Sequence, residues 1–393
     1  MLGRNVTRNR SFQPLRSSGW LCLAMLLGGF HAVFAQSVQI SQLYRAQVAV
    51  ADNSVTNRNA SFKLGLEQVL VRLSGSRTIG DTPEAQAIIE KASKYVLGYR
   101  YVEVEEQVED EEEAESLQIR VEFDGRALER SLHNVGLPVW SSNRPAVMAW
   151  LAVEQGRQRF ILAEDSESEL IPILAAAASE RGLSLLLPLM DLEDRRQVKF
   201  ADVRAGFTEN LKPASERYNV QTILIGLLQR ERSGKWTVRW SVEQDTGARR
   251  WQEYSVPLEV ALRSGVDGLA DIMASRYAFT AGPDSQLRQY VVAIEQLTSL
   301  EQYATLLNNM RDMVFVKHVS PKQIAPDQAE FTVLMRGSLE ELQKSLMLSN
   351  RLRPIVEPEP AAPRPILMPG SVPVPADNPA RTDTVDLRFT LYR

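Results

Sequence analysis

At 393 residues the chain is too long for one ordinary hydrophobic core and points to two or three domains. Its 44% hydrophobic and 24% charged residues exclude a disordered chain and a polytopic membrane protein. A formal charge of −4 and a single cysteine exclude a disulfide scaffold and speak against nucleic acid as a partner.

The first 35 residues stand apart. Arg4, Arg8, Arg10 and Arg16 precede the apolar stretch from Trp20 to Phe30, and Val33-Phe34-Ala35 offers a cleavage position. This is the pattern of a secretory signal peptide, with an apolar part too short for a comfortable membrane span. Removing it takes away four arginines and Cys22, moving the formal charge from −4 to −8 and leaving no thiol. The expectation is an exported periplasmic protein with no integral membrane span after cleavage.

A first domain is expected over residues 36–138. Leu43 to Val50 reads as a strand, followed by a helix capped by Asn57 or Asn59. In that helix Phe62, Leu66, Val69, Leu70 and Leu73 share one face, and Gly75 ends it. A second helix starts at Thr82-Pro83-Glu84. Tyr99–Val104 and Leu117–Phe123 alternate as an antiparallel pair, and a short helix spans Ala127 to Val135. The acidic run Glu103 to Glu115 reads as a solvated hairpin tip, lacking the spacing of an oxygen-ligand loop.

The middle domain is placed over 139–282, as an α/β sandwich with antiparallel strands. Val147–Val153 and Arg159–Ala163 form paired strands, and Ser166–Arg181 a helix. The run Leu183–Met190 reads as a buried strand leading through Asp191-Leu192-Glu193-Asp194 into a helical segment that closes on Arg217-Tyr218. Strands at Thr222–Leu228, Trp236–Val242 and Ala248–Val256 follow, then a long helix over Val260–Tyr277.

The third domain is expected over 283–353 plus 383–393, interrupted by a Pro-rich linker at 354–382. Strands at Tyr290–Leu297, Val314–Val319 and Glu330–Leu334 alternate with helices from Ser299 and Ser338, the middle pair joined by a Pro321–Pro326 loop. The terminal run Val385–Tyr392 would supply the sixth element of a ferredoxin-like β-α-β-β-α-β unit. The fold class is thus α+β with α/β character, in three small modules.

Chemistry is sparse. After cleavage two histidines remain, His133 and His318, in different predicted domains. There is no thiol, no Gly-x-Ser-x-Gly elbow and no phosphate-binding loop. Asp191, Glu193 and Asp194 are the candidate metal or acid/base residues, because open α/β sheets bind ligands beyond their strand ends. The same carboxylates also suit a helix N-terminus. Trp236 and Trp240 share strand parity and are candidate interaction residues, with core packing as the alternative.

Tyr44-Arg45-Ala46-Gln47-Val48, Gln68 to Gly75 and Gly136-Leu137-Pro138-Val139-Trp140 resemble the exported proteobacterial proteins called domain of unknown function 2066. Arg144-Pro145, Trp150-Leu151, Pro188 with Asp191, and Arg217-Tyr218 extend the likeness. In architecture the middle region is similar to flagellar assembly protein T and to the lipoprotein activators of penicillin-binding proteins. The family resemblance implies an exported protein of unassigned biochemical role and brings no catalytic residues; the architectural relatives act by binding other envelope proteins, and their specific partners do not transfer.

The expected function is a non-enzymatic periplasmic interaction or assembly protein with an envelope protein partner and no cofactor. A metal- or ligand-binding protein or hydrolase using Asp191–Asp194, and a self-assembling structural protein, are the alternatives.

Overall fold

Each of the three hydrophobic stretches closes around a sheet of its own. The computed structural model describes residues 40–106, 114–140, 142, 144–220, 222–243, 247–280, 286–347, 352–355 and 385–392. The expected signal peptide, the tip of the acidic hairpin and nearly all of the Pro-rich stretch lie outside the described residues. The fold is α+β, with antiparallel and mixed sheets. No helix among the described residues is long and apolar enough to cross a membrane.

The first sheet has the order β1-β3-β2 and is antiparallel. It is built from α1 (Ile40–Leu43), β1 (Arg45–Ala49), α2 (Val55–Ser74), α3 (Pro83–Ile89), β2 (Val96–Glu106), β3 (Ala114–Phe123) and α4 (Gly125–Asn134). The spaced apolar residues of α2 pack on Ala46, Val48, Ile119, Val121 and Phe123. The cap of α2 is Ser54, not Asn57 or Asn59: its side chain accepts from the Asn57 N–H. Asp52 holds that turn, accepting from the Ser54 N–H and the Asn57 side chain, so both asparagines fall inside the helix.

The middle sheet contains β4 (Val147–Gln155), β5 (Gln158–Ile161), β6 (Leu185–Leu186), β7 (Thr222–Arg230), β8 (Trp236–Val242) and β9 (Arg249–Val256). Its order is β5-β4-β7-β8-β9, with β6 beside β4. The β4–β7 pair is parallel and the β7–β8–β9 strands are antiparallel. Helices α5 (Leu170–Glu180) and α9 (Leu258–Tyr277) cover one face. The other carries α6 (Leu192–Gln197), α7 (Phe200–Ala205) and α8 (Thr208–Glu216). The domain therefore has three layers, and the central strands are apolar on both faces, as buried parallel strands require.

Two expectations for this region change. The run Leu183–Met190 yields only the two-residue β6, because the chain turns off the sheet before Pro188. The helical segment toward Arg217 is three helices, not one. Val198 and Lys199 are extended, and Gly206 sits in the left-handed region at φ 73°.

The third sheet runs β11-β12-β10-β14-β13. Its elements are β10 (Leu287–Glu295), α10 (Leu300–Arg311), β11 (Val316–Ile324), β12 (Gln328–Arg336), α11 (Leu339–Met347), β13 (Leu352–Pro354) and β14 (Leu387–Leu391). The expected order β-α-β-β-α-β is present, but its sixth element is β13. The terminal strand β14 is an addition, parallel to β10 on one side and antiparallel to β13 on the other. Three residues of β13 are too short to cover β10, whereas β14 brings Phe389 and Leu391 into the core. The expected Pro321–Pro326 loop is also revised. Strand β11 continues through Pro321 to Ile324 with a register shift, which an edge strand tolerates.

Candidate functional site: a cleft beside the first sheet

The acidic turn is a closed network. Asp191 caps α6, its Oδ1 accepting from the backbone N–H groups of Glu193 and Asp194. Arg217 grips Asp191 with both terminal nitrogens at 2.8 Å, and its Nη1 also donates to Asp194 at 3.0 Å. The buried Asp194 carboxylate further accepts from the Met190 N–H at 2.9 Å and the Tyr218 hydroxyl at 2.5 Å. The Arg217 guanidinium holds Asp191 far below the usual carboxylate range. Burial first, then the Asp194 carboxylate, pushes the Tyr218 hydroxyl up. Glu193 is exposed and lies 3.7 Å from Arg217. These carboxylates fasten α6 to the end of α8, and no group of metal-binding residues occurs among the described residues.

Trp236 and Trp240 do share a face, as their parity requires, but that face is the core. Each is 2% exposed. Trp240 sits where two glycines leave room for it: a Cβ on Gly226 or Gly265 would lie 2.4 or 2.5 Å from its ring. The pair therefore forms no exposed aromatic surface, because the sheet face under α9 is where the large rings can be buried. The histidines are not brought together either. His133 is buried against Phe279 at 5.8 Å, with its imidazole pKa lowered by burial and then by Arg336. His318 is exposed on β11.

Sequence reasoning missed a group of buried arginines where the first sheet meets the middle one. Arg144 donates to the carbonyls of Arg72 (2.7 Å), Trp140 (3.0 Å), Gly182 (3.0 Å) and Arg181 (3.4 Å). Its guanidinium also lies 4.0 Å over the Trp140 ring. Arg72 donates to the Arg45 and Gln42 carbonyls. Arg181 binds Asp267 at 2.9 Å, Asp271 at 2.6 Å and the Gly75 carbonyl at 2.8 Å. Nearby, the Tyr44 hydroxyl donates to Glu129 at 2.6 Å. Burial first and then Glu129 push Tyr44 up, and burial raises Glu129 itself. The one sequence cue was Arg72 within the apolar run Val69-Leu70-Val71-Arg72-Leu73.

Arg72 and Arg181 form part of the wall of a cleft of about 820 Å³. Arg45, Arg77, Arg120 and Arg263 also line it, against Glu180 and Asp267. The cleft runs along β1, an edge strand paired only with β3 among the described strands. Tyr44 O accepts from Phe123 N, and Val50 N donates to Leu117 O. In an antiparallel ladder this turns the backbone groups of Arg45, Gln47 and Ala49 away from β3. Arg72 takes the Arg45 carbonyl, and Gln47 keeps its N–H and C=O at the edge. Three successive residues, Arg45 to Gln47, line the cleft. Alternating side chains alone could not do that, so the backbone edge itself borders it.

Residues 37–141 match a family model described as a domain of unknown function, DUF8605. The match covers the whole first sheet and stops next to Trp140. It agrees with an uncharacterised domain here, under a number other than 2066. No curated protein matches the chain.

Proposed function

We propose that the protein is a non-enzymatic interaction protein of the cell envelope, and that it takes an extended partner segment along the open edge of β1. In this reading residues 1–35 direct export to the periplasm. Kinship with the domain of unknown function 2066, and architectural kinship with flagellar assembly protein T and the lipoprotein activators, fits the same role. The observation that carries the proposal is the position of the 820 Å³ cleft against a strand edge whose Gln47 backbone groups are unclaimed by β3. Strand addition draws affinity from such main-chain groups. The acidic-turn alternative gains nothing from the geometry, since Asp191 and Asp194 are tied to Arg217 and Tyr218.

A photo-crosslinking residue at Gln47 in cells is the direct test, with Lys235 on the distant β7–β8 turn as the control. The expected result is a discrete crosslinked envelope protein from position 47 alone. Identical products from both positions, or none from 47, would overturn the reading.

A further inference from the structure

Resting on the strand-addition reading above, the chemistry of the cleft specifies the segment it takes. Six arginines line the cleft. Arg45 is paired with Glu122, Arg263 with Glu180 and Glu259, and Arg77 and Arg181 with Asp267 and Asp271. Arg72 and Arg120 make no salt bridge among the described residues, and the one carboxylate acting on Arg72 is Glu180, from beyond ion-pair distance. Arg72 donates to two neutral carbonyls, and Arg120 to the Gln47 side-chain oxygen.

The wall is also short of acceptors. Arg72 and Arg181 are 7% and 4% exposed, yet the Nε–H of each lacks a hydrogen-bond partner among the described residues. Buried cations and donors left in that condition favour an incoming anion, and guanidinium forks match carboxylates in plane and spacing. The positive lining belongs to a chain of net negative charge, so the cleft is locally distinct in sign. Its arginines come from β1, β3, α2, α9, the end of α5 and the loop after α2, spread along a strand edge instead of converging on one point.

We propose that the cleft binds an acidic, extended segment of a partner protein, its backbone joining β1 at Gln47 and its carboxylates meeting Arg72 and Arg120. A segment of alternating acidic and apolar residues presents carboxylates on one face only, which suits a strand laid beside β1.

The test is fluorescence anisotropy on the purified protein, using a labelled Glu-Val octapeptide repeat and its Lys-Val counterpart. Two variants keep the outcomes separate. Arg120→Glu reverses a charge that makes no ion pair, and Gln47→Pro removes an outward N–H without breaking a backbone hydrogen bond to β3, although the Gln47 side-chain bonds to Gln118 and Arg120 go with it. Circular dichroism establishes that both fold.

The acidic peptide is expected to bind, more weakly at high salt, and the lysine peptide at least about tenfold less well. Each variant is expected to weaken the acidic peptide by about tenfold or more. Equal binding of the two peptides, or full binding to Arg120→Glu, overturns the acidic specificity while leaving strand addition intact. Full binding to Gln47→Pro overturns strand addition instead. Displacement by inorganic phosphate at concentrations matching the peptide's overturns the peptide in favour of a small oxyanion. Binding of neither peptide sinks both readings.

Discussion

The Tyr218 hydroxyl meets the Asp194 carboxylate at 2.5 Å, at a point where Asp194 is 1% exposed. That contact, together with Arg217, makes the acidic turn a clasp between α6 and α8. Tyr218→Phe removes the charge-assisted hydrogen bond to Asp194 and the acceptor of the Leu189 N–H, and is expected to cost about 1.5–3 kcal/mol. Asp194→Ala leaves the Met190 N–H, Tyr218 and Arg217 short of their acceptor and is expected to cost about 3–5 kcal/mol. Urea titration of the two variants checks the order. A smaller loss for Asp194→Ala than for Tyr218→Phe would contradict the clasp.

The same cluster, together with Tyr44 beside Glu129, sets opposite pH limits. Asp191 has a depressed folded pKa, so its contribution is complete above about pH 4 and is lost as pH falls below that. Because Asp191 is partly exposed, the acid effect is small and screened by salt. Tyr218 and Tyr44 have raised folded pKa values, so their contribution holds below about pH 10 and fades above it. Absorbance at 295 nm should show two tyrosines ionising only as the fold opens at alkaline pH. Phe at both positions should remove that late component.

Arg144 is the fastener most sensitive to substitution. It serves four carbonyls drawn from α2, the segment before β4 and the end of α5. Lysine keeps the charge but not the fork, so Arg144→Lys is expected to destabilise by several kcal/mol, about 3–5 for Arg144→Ala. Thermal melts give the magnitude, and near-ultraviolet dichroism of Trp140 reports the local loss. A lysine variant as stable as the parent would refute the need for the planar fork.

Trp240 depends on bare backbone around it. Gly265→Ala would set a Cβ 2.5 Å from the indole in a fully packed layer. The expected cost is about 1–3 kcal/mol, since the ring cannot retreat without moving β8. Gly234, at a left-handed turn with open space around it, is the comparison site. There alanine meets only the backbone penalty, and its melt should keep the parent's tryptophan signal. Chemical denaturation followed by tryptophan fluorescence separates the two.

Local pattern was legible where local chemistry decides. The apolar face of α2, the β2–β3 alternation and the long α9 follow directly from residue spacing. The helix expected from Ser338 opens on a reciprocal cap, with Glu341 accepting from the Ser338 N–H and Ser338 from the Glu341 N–H. Legibility failed where partners are distant in sequence. Parity placed Trp236 and Trp240 on one face, but only α9 decides that this face is interior. Nothing in the local sequence marks the role of Arg144, because its acceptors, at 72, 140, 181 and 182, converge only in three dimensions. The acidic turn was found, yet its role depends on Arg217 and Tyr218, more than twenty residues away.

Strand β14 lies inside its sheet although it is the last of the five in chain order. Until residues 387–391 arrive, β10 and β13 have an empty lane between them, and Val292, Ile294 and Leu352 lack their cross-strand partners Leu387, Phe389 and Leu391. Assembly order is therefore written into the topology. The hairpin β11–β12 and the first four elements can gather early, whereas the sheet is sealed from its middle and last. Thirty-two residues carrying eight of the nine prolines from 354 to 379 separate β13 from β14, so this closure is a long-range event with its own entropy of search. A chain shortened before Leu387 would keep most of its third core residues and still be unable to finish the module.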